Sequence, residues 1–151
     1  MNSNKVMLLY PDYRSSEVFS NLYLPVGLGY VARSLETADI EYEVVDLNID
    51  STESLIDRIG KFSPDFMGIS MMSYRCQRTY DLLQNMKSAF PRVQLVAGGP
   101  HITANPEKVM MECPAIDIGV VGEGEAARRK VQDLSSERTV RDLLDYFAHI
   151  L

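Results

Sequence analysis

Two hydrophobic patterns alternate along the chain. Short runs of consecutive apolar residues, typical of buried strands, are separated by segments in which apolar residues recur every three or four positions, as on one face of a helix. The runs predict strands at residues 5–10, 41–47, 66–72, 93–97 and 116–121. The periodic segments predict helices over residues 24–35, 55–62, 79–90 and 140–147, and a further helix begins at Asn105.

Strands that alternate with helices form parallel βαβ units, and five such strands form a doubly wound sheet. We therefore predict one α/β domain over residues 1–151, with strand order 2-1-3-4-5 and a ligand crevice at the carboxyl ends of strands 1 and 3. Residues 126–138 are polar with little apolar periodicity, which predicts an extra helix or a mobile insert.

Helix boundaries carry their own signals. Pro25 fits a first helical turn, where its missing N–H has no partner to lose. Asp50, followed three residues later by Glu53, resembles a capping box, and Asn105 followed by Pro106 is typical of an N-cap. These signals place the helix starts beyond the carboxyl ends of the strands.

Composition and charge exclude several functions. The chain has 15 basic and 21 acidic side chains, a net charge of −6, and no basic stretch that would follow a phosphate backbone, so nucleic acid is not an expected partner. The apolar runs are too short to span a bilayer and the first residues lack a secretory signal, so we expect a cytoplasmic protein with no membrane partner. Cys76 and Cys113 form neither a disulfide framework nor a Cys-x-x-Cys metal clip.

Three functional patterns of α/β sheets fail in this sequence. Residues 27–32 match G-x-G-x-x-A, but they lie inside the first predicted helix instead of directly after strand 1, as a dinucleotide fingerprint requires. Strand 3 ends in Ser-Met-Met-Ser and therefore lacks the aspartate of a phosphoacceptor domain. His101 and His149 are the only histidines in the sequence, and neither belongs to a nucleophile–base constellation. We predict no catalytic residue.

Glycines follow the last two predicted strands. Gly98 and Gly99 permit positive φ and a close approach of the backbone to a ligand, or they simply turn the chain into the next helix. The Gly-Glu-Gly-Glu sequence at residues 122–125 offers carboxylates to a ligand or to a helix cap. His101 either points into the crevice or stabilises the turn, and the sequence leaves both open.

Four of these segments together resemble the N-terminal cobalamin (vitamin B12)-binding domain of cobalamin-dependent radical SAM enzymes. The segments are residues 24–30, 68–70, 98–101 and 122–125. The resemblance implies a flavodoxin-like, Rossmann-like sheet whose carboxyl edge holds cobalamin, with the nucleotide tail in the crevice and the corrin ring on top.

The resemblance also implies a set of cofactor-binding residues. The start of the first helix would approach the corrin with Leu24, Pro25 and Gly27. The ends of strands 3 and 4 would line the slot for the tail with Ser70, Met71, Ser73, Tyr74, Gly98, Gly99, Pro100 and His101. Gly122, Glu123 and Gly124 would lie nearby.

Two departures from the family pattern refine this expectation. Cobalamin-dependent mutases carry Asp-x-His-x-x-Gly after strand 1, whereas here Arg14 stands at the histidine position and Glu17 at that of the glycine, which predicts cobalamin without a lower histidine ligand. Two cysteines cannot hold an iron–sulfur cluster, so none is expected in this chain. We therefore expect a cofactor-holding module whose partner is a radical SAM catalytic domain or a separate protein.

Two other functions remain as alternatives. The same fold without cobalamin would serve as a protein-interaction or regulatory domain. A flavin- or nucleotide-binding protein would need a phosphate loop after strand 1, where Asp12 and Glu17 would repel an anion.

Overall fold

The computed structural model describes residues 4–14 and 25–121. Within these ranges the elements are β1 (Val6–Tyr10), α1 (Val26–Thr37), β2 (Tyr42–Asp46), α2 (Thr52–Phe62), β3 (Phe66–Ser70), α3 (Cys76–Ala89), β4 (Gln94–Gly98), α4 (Pro100–Ala104), α5 (Pro106–Glu112) and β5 (Ile118–Gly119). The five strands pair in parallel in the order β2-β1-β3-β4-β5. The predicted α/β class and strand order are confirmed.

The sheet separates two hydrophobic clusters. Side chains alternate across a strand, so Val6, Leu8 and Tyr10 of β1 pack with α1, while Met7 and Leu9 pack on the face that carries α2 and α3. All five are at most 8% exposed. A central strand buried on both faces explains why β1 reads as an unbroken apolar run.

Some predicted boundaries differ from the observed ones. The N-cap of α2 is Ser51, whose Oγ accepts a hydrogen bond from the Ser54 N–H at 3.1 Å, whereas Asp50 pairs with Arg58 instead. Strand β5 is shorter than predicted, and a short helix, α4, directly follows Gly99. The predicted helix at residues 140–147 and the polar segment 126–138 lie outside the described residues.

Gly99 is required by the junction between β3 and β4. Its φ of 98° and ψ of −178° belong to a region that only glycine populates readily. A Cβ on Gly99 would lie 2.8 Å from the carbonyl oxygen and 2.9 Å from the nitrogen of Met71. Those two atoms bond the His101 N–H and the Gly98 carbonyl. The fold itself therefore accounts for this glycine.

Replacing Gly99 with alanine tests this junction. We expect Gly99→Ala to lower the free energy of unfolding by at least about 1–3 kcal/mol, because it combines a forbidden backbone conformation with a main-chain clash. Gly60→Ala is the matched control: Gly60 lies inside α2 with no atom within 4 Å of a built Cβ, so we expect a gain of about 0.5–1 kcal/mol. Urea unfolding measures both, and equal effects would contradict the assignment.

Candidate functional site

The segments that leave β1, β3 and β4 meet at one edge of the sheet, because parallel strands all end there. Ser70 and Gly98 are register partners at the ends of β3 and β4. The Met71 N–H donates to the Gly98 carbonyl at 2.8 Å, and the His101 N–H donates to the Met71 carbonyl at 3.0 Å. The residues predicted from these two strand ends therefore lie next to one another.

Within this group the side chains differ in exposure. Met71 contributes main-chain atoms to the edge, because its side chain is fully buried in the core. Tyr74 is 54% exposed and lies beside the Arg75 guanidinium, whose carbon is 5.4 Å from the ring centroid. Pro100 is exposed at the start of α4. The loop after β3 thus exposes the side chains of Met72, Ser73 and Tyr74.

The remaining predicted site residues lie elsewhere. Pro25 and Gly27 are at the start of α1, and Gly27 faces open space. Leu24, Gly122, Glu123 and Gly124 lie outside the described residues. The described residues therefore include the ends of β3 and β4 and the start of α1.

The sheet has a surface of small residues on the α1 side of β3 and β4. Gly68 is register partner of Leu8 and Val96, both members of the cluster that includes α1. Alternation places Ser70 and Gly98 on that same face. Three small positions therefore lead toward the carboxyl edge, where Gly68 and Gly98 are buried and Ser70 is half-buried.

Tyr13 bridges the ends of β1 and β3 and was not predicted from the sequence. Its hydroxyl donates to the Ser70 carbonyl at 2.9 Å and accepts from the Met72 N–H at 3.0 Å. Its ring meets Tyr10 edge to face at 5.2 Å. Burial raises the pKa of Tyr13 to about 12, so the phenol stays neutral and can serve both contacts.

Asn48 attaches the same loop to β2. The Asn48 Oδ1 accepts from the Tyr13 N–H at 3.0 Å, and its Nδ2 donates to the Pro11 carbonyl at 3.2 Å. Asn48 is only 9% exposed, and the carboxylate of Asp46 accepts from both its N–H and its Nδ2. The loop after β1 is thus fixed to both neighbouring strands.

Arg14, which the sequence analysis matched with the histidine of the mutase pattern, forms an ion pair within its own loop. Its Nε and Nη2 donate to Asp12 at 2.9 and 3.2 Å, and Arg78 lies 3.7 Å from the same carboxylate. The hydrogen bond from Arg14 is the main cause that holds the pKa of Asp12 below its usual value. A cleft of about 320 Å³ lies beside this cluster, between the first turns of α2 and α3.

Both ring nitrogens of His101 contact side chains. Nε2 lies 2.7 Å from the Tyr80 hydroxyl and Nδ1 lies 3.1 Å from the Ser73 hydroxyl. Tyr80 also donates to Glu112 at 3.3 Å. Burial is the main cause that lowers the pKa of His101, and the nearby Glu112 opposes it.

Two features are absent from the part of the chain that the structure describes. Across residues 4–14 and 25–121, no three His, Cys, Asp or Glu side chains are grouped to hold a metal ion. In the same ranges, no helix has both the length and the apolar character needed to cross a membrane.

Removing the Tyr13 hydroxyl should loosen the edge. We expect Tyr13→Phe to lower the free energy of unfolding by about 1–3 kcal/mol, because it leaves the Ser70 carbonyl and the Met72 N–H without this partner. Tyr30→Phe, at a residue that is 66% exposed, should change it by less than about 0.5 kcal/mol. Denaturant titration of both variants measures the difference, and a harmless Tyr13→Phe would argue against the bridge.

His101 should make stability depend on pH. Its folded pKa lies below the unfolded value of about 6.5, so the unfolded state binds more protons between the two values. The contribution is therefore complete above about pH 7 and is lost as the pH falls below about 6.5. Thermal unfolding from pH 8 to pH 5 should show this decline, and His101→Asn should flatten it relative to the parent. Parallel profiles would refute the coupling.

Two relatives of known name match most of this chain. The chain is 35% identical over 149 residues to an uncharacterized methyltransferase of Pyrococcus horikoshii, covering 95% of this chain and 32% of that protein. It is 30% identical over 129 residues to the anaerobic magnesium-protoporphyrin IX monomethyl ester cyclase of Rubrivivax gelatinosus, covering 80% of this chain and 22% of the cyclase. The chain thus spans about a third or less of these relatives.

Solved structures share the fold. The cobalamin-dependent S-adenosylmethionine radical enzyme OxsB, with aqua-cobalamin and S-adenosylmethionine bound, matches with a TM-score of 0.71 and 19% identity, over 99% of this chain and 19% of OxsB. A CheY-like protein from Pseudomonas aeruginosa matches with a TM-score of 0.56 and 18% identity, over 100% of this chain and 97% of that one. The family profile of the B12 binding domain matches residues 17–132, more than half of the sequence. The chain therefore belongs to the B12-binding domain family.

Proposed function

We propose that this chain holds cobalamin at the carboxyl edge of its sheet, for use by a radical SAM methyltransferase or cyclase. The nucleotide tail would lie against the small-residue surface of Gly68, Ser70 and Gly98, and the corrin would lie above the strand ends. The observation that carries the proposal is this surface, which leads up to the edge in a chain whose family binds B12.

The described residues fit such a group. A planar base can approach the main chain most closely where side chains are small, and two glycines and a serine lie on one face of β3 and β4. Its walls are preorganised, because Tyr13 fixes the loop after β3 from the β1 side and the Met71 main chain fixes it from the β4 side. A rigid slot loses little conformational entropy when a ligand binds.

Cobalt would receive no protein nitrogen from the loop after β1. Arg14 stands at the position of the related histidine, and a guanidinium remains protonated and cannot ligate a metal. His101 has protein partners at both ring nitrogens. Neither Arg14 nor His101 would therefore supply a nitrogen ligand to cobalt.

The chemistry would be divided between the cofactor and a partner. Bound cobalamin supplies a cobalt centre that can carry a methyl group, whereas this chain binds and orients it. Cys76 and Cys113 are too few to hold an iron–sulfur cluster, and the second is buried. The relatives are about three times as long or longer, which supports a catalytic domain as the partner.

Reconstitution tests the proposal. The 151-residue chain, mixed with hydroxocobalamin and passed over a gel-filtration column, should retain a corrin spectrum without the bands of a histidine-ligated cobalt. Cobinamide, which lacks the nucleotide tail, should bind at least about tenfold more weakly, a difference of about 1.4 kcal/mol. Colourless protein would contradict cobalamin binding, and equal affinity for both corrinoids would contradict the tail slot. Flavin mononucleotide, tested in parallel, should not be retained.

A further inference from the structure

We propose that His101 is a positioning residue, which fixes the loop between β3 and α3 through Ser73 and is itself oriented by Tyr80 and Glu112. The proposal rests on cobalamin binding at this edge and adds the residues that hold its wall in place. It also resolves the alternatives left by the sequence, since the imidazole acts on the loop and not on the cofactor.

The loop over residues 71–75 needs an external support at its outer half. Its first half is held through main-chain atoms, with Met71 bonded to β4 and α4 and Met72 bonded to Tyr13. The second half contains Ser73 and Tyr74, both exposed, and ends at Arg75 with a positive φ of 58°. The contact from the Ser73 hydroxyl to Nδ1 of His101, at 3.1 Å, joins this half to α4.

The imidazole is oriented from its other side by buried groups. Tyr80 is 2% exposed in the middle of α3, and its hydroxyl lies 2.7 Å from Nε2. Burial raises the pKa of Tyr80 above its usual value, so the phenol remains protonated. Glu112, at the end of α5, accepts from the same hydroxyl at 3.3 Å and pairs with Lys108 at 3.7 Å. The ring is therefore held by α3 directly and by α5 through Tyr80.

Both ring nitrogens of His101 have protein partners in either neutral tautomer of the imidazole. If Tyr80 donates to Nε2, then Nδ1 carries the proton and donates to Ser73. If Tyr80 donates to Glu112, then Nε2 donates to Tyr80 and the Ser73 hydroxyl donates to Nδ1. Each arrangement keeps Ser73 bonded to the ring.

A loop that is already ordered binds its ligand more tightly, because it loses less conformational freedom. For one side chain and its turn, we expect a change of about two- to tenfold in affinity when the support is removed. The core of the domain should be little affected, since Ser73 is exposed and its contact lies at the rim.

Isosteric variants of the full chain separate the two contacts of the ring. The amide of His101→Asn reaches the position of Nδ1 and retains the contact with Ser73, whereas that of His101→Gln reaches the position of Nε2 and retains the contact with Tyr80. Ser73→Ala removes the same link from the loop side. Ser88→Ala is the matched control, because the Ser88 hydroxyl donates within α3 to the Gln84 carbonyl, at the opposite end of that helix.

Amide hydrogen exchange of residues 72–75 without ligand, and hydroxocobalamin affinity, are measured for each variant. Ser73→Ala and His101→Gln should exchange faster in this segment and bind about two- to tenfold more weakly. His101→Asn should show a smaller effect, because it keeps the contact with Ser73 and loses the one with Tyr80, and Ser88→Ala should resemble the parent. Unchanged exchange and affinity in Ser73→Ala would overturn the positioning role. A parent that binds no corrinoid would instead contradict the proposed function, and exchange alone would then decide whether His101 fixes the loop.

Discussion

The main chain of Met71 joins the two strand ends on which the candidate site is built. Its N–H and carbonyl bond to Gly98 and His101, so the end of β3 and the start of α4 are held at hydrogen-bond distance. That approach leaves no room for a Cβ at Gly99. The backbone conformation of Gly99, the start of α4 and the position of His101 all depend on these two hydrogen bonds of Met71.

Around this junction, neutral tyrosine hydroxyl groups connect neighbouring loops and helices. Tyr13 and Tyr80 each contact two partners through one hydroxyl, and burial keeps both phenols protonated. A charged side chain at either point would have to be desolvated, at a cost that a neutral phenol avoids. The charged pair Asp12 and Arg14 lies instead at the exposed rim of the loop after β1.

The sequence predicted the parts of the structure that depend on local pattern. Five apolar runs and the helices between them specify a parallel sheet, because few arrangements bury such strands on both faces. The N-cap of α2 was assigned to Asp50 instead of Ser51, because adjacent polar residues satisfy the same pattern and only the backbone conformation distinguishes them. The role of Tyr13 was not predicted because its partners, Ser70 and Met72, are distant in sequence. They lie near Tyr13 only because β1 pairs with β3 in this register.

In the loop after β1, a residue that holds the loop in place, Tyr13, is followed directly by an exposed charged residue, Arg14. Tyr13 and Asn48 fasten the loop to its neighbours, while the side chain of Arg14 is 54% exposed and bonds to Asp12 within the same loop. The side chain at position 14 can therefore change between imidazole, guanidinium and other groups without unfastening the strand end. A substitution at this position would thus change the charge of the loop while the contacts of Tyr13 and Asn48 stay in place.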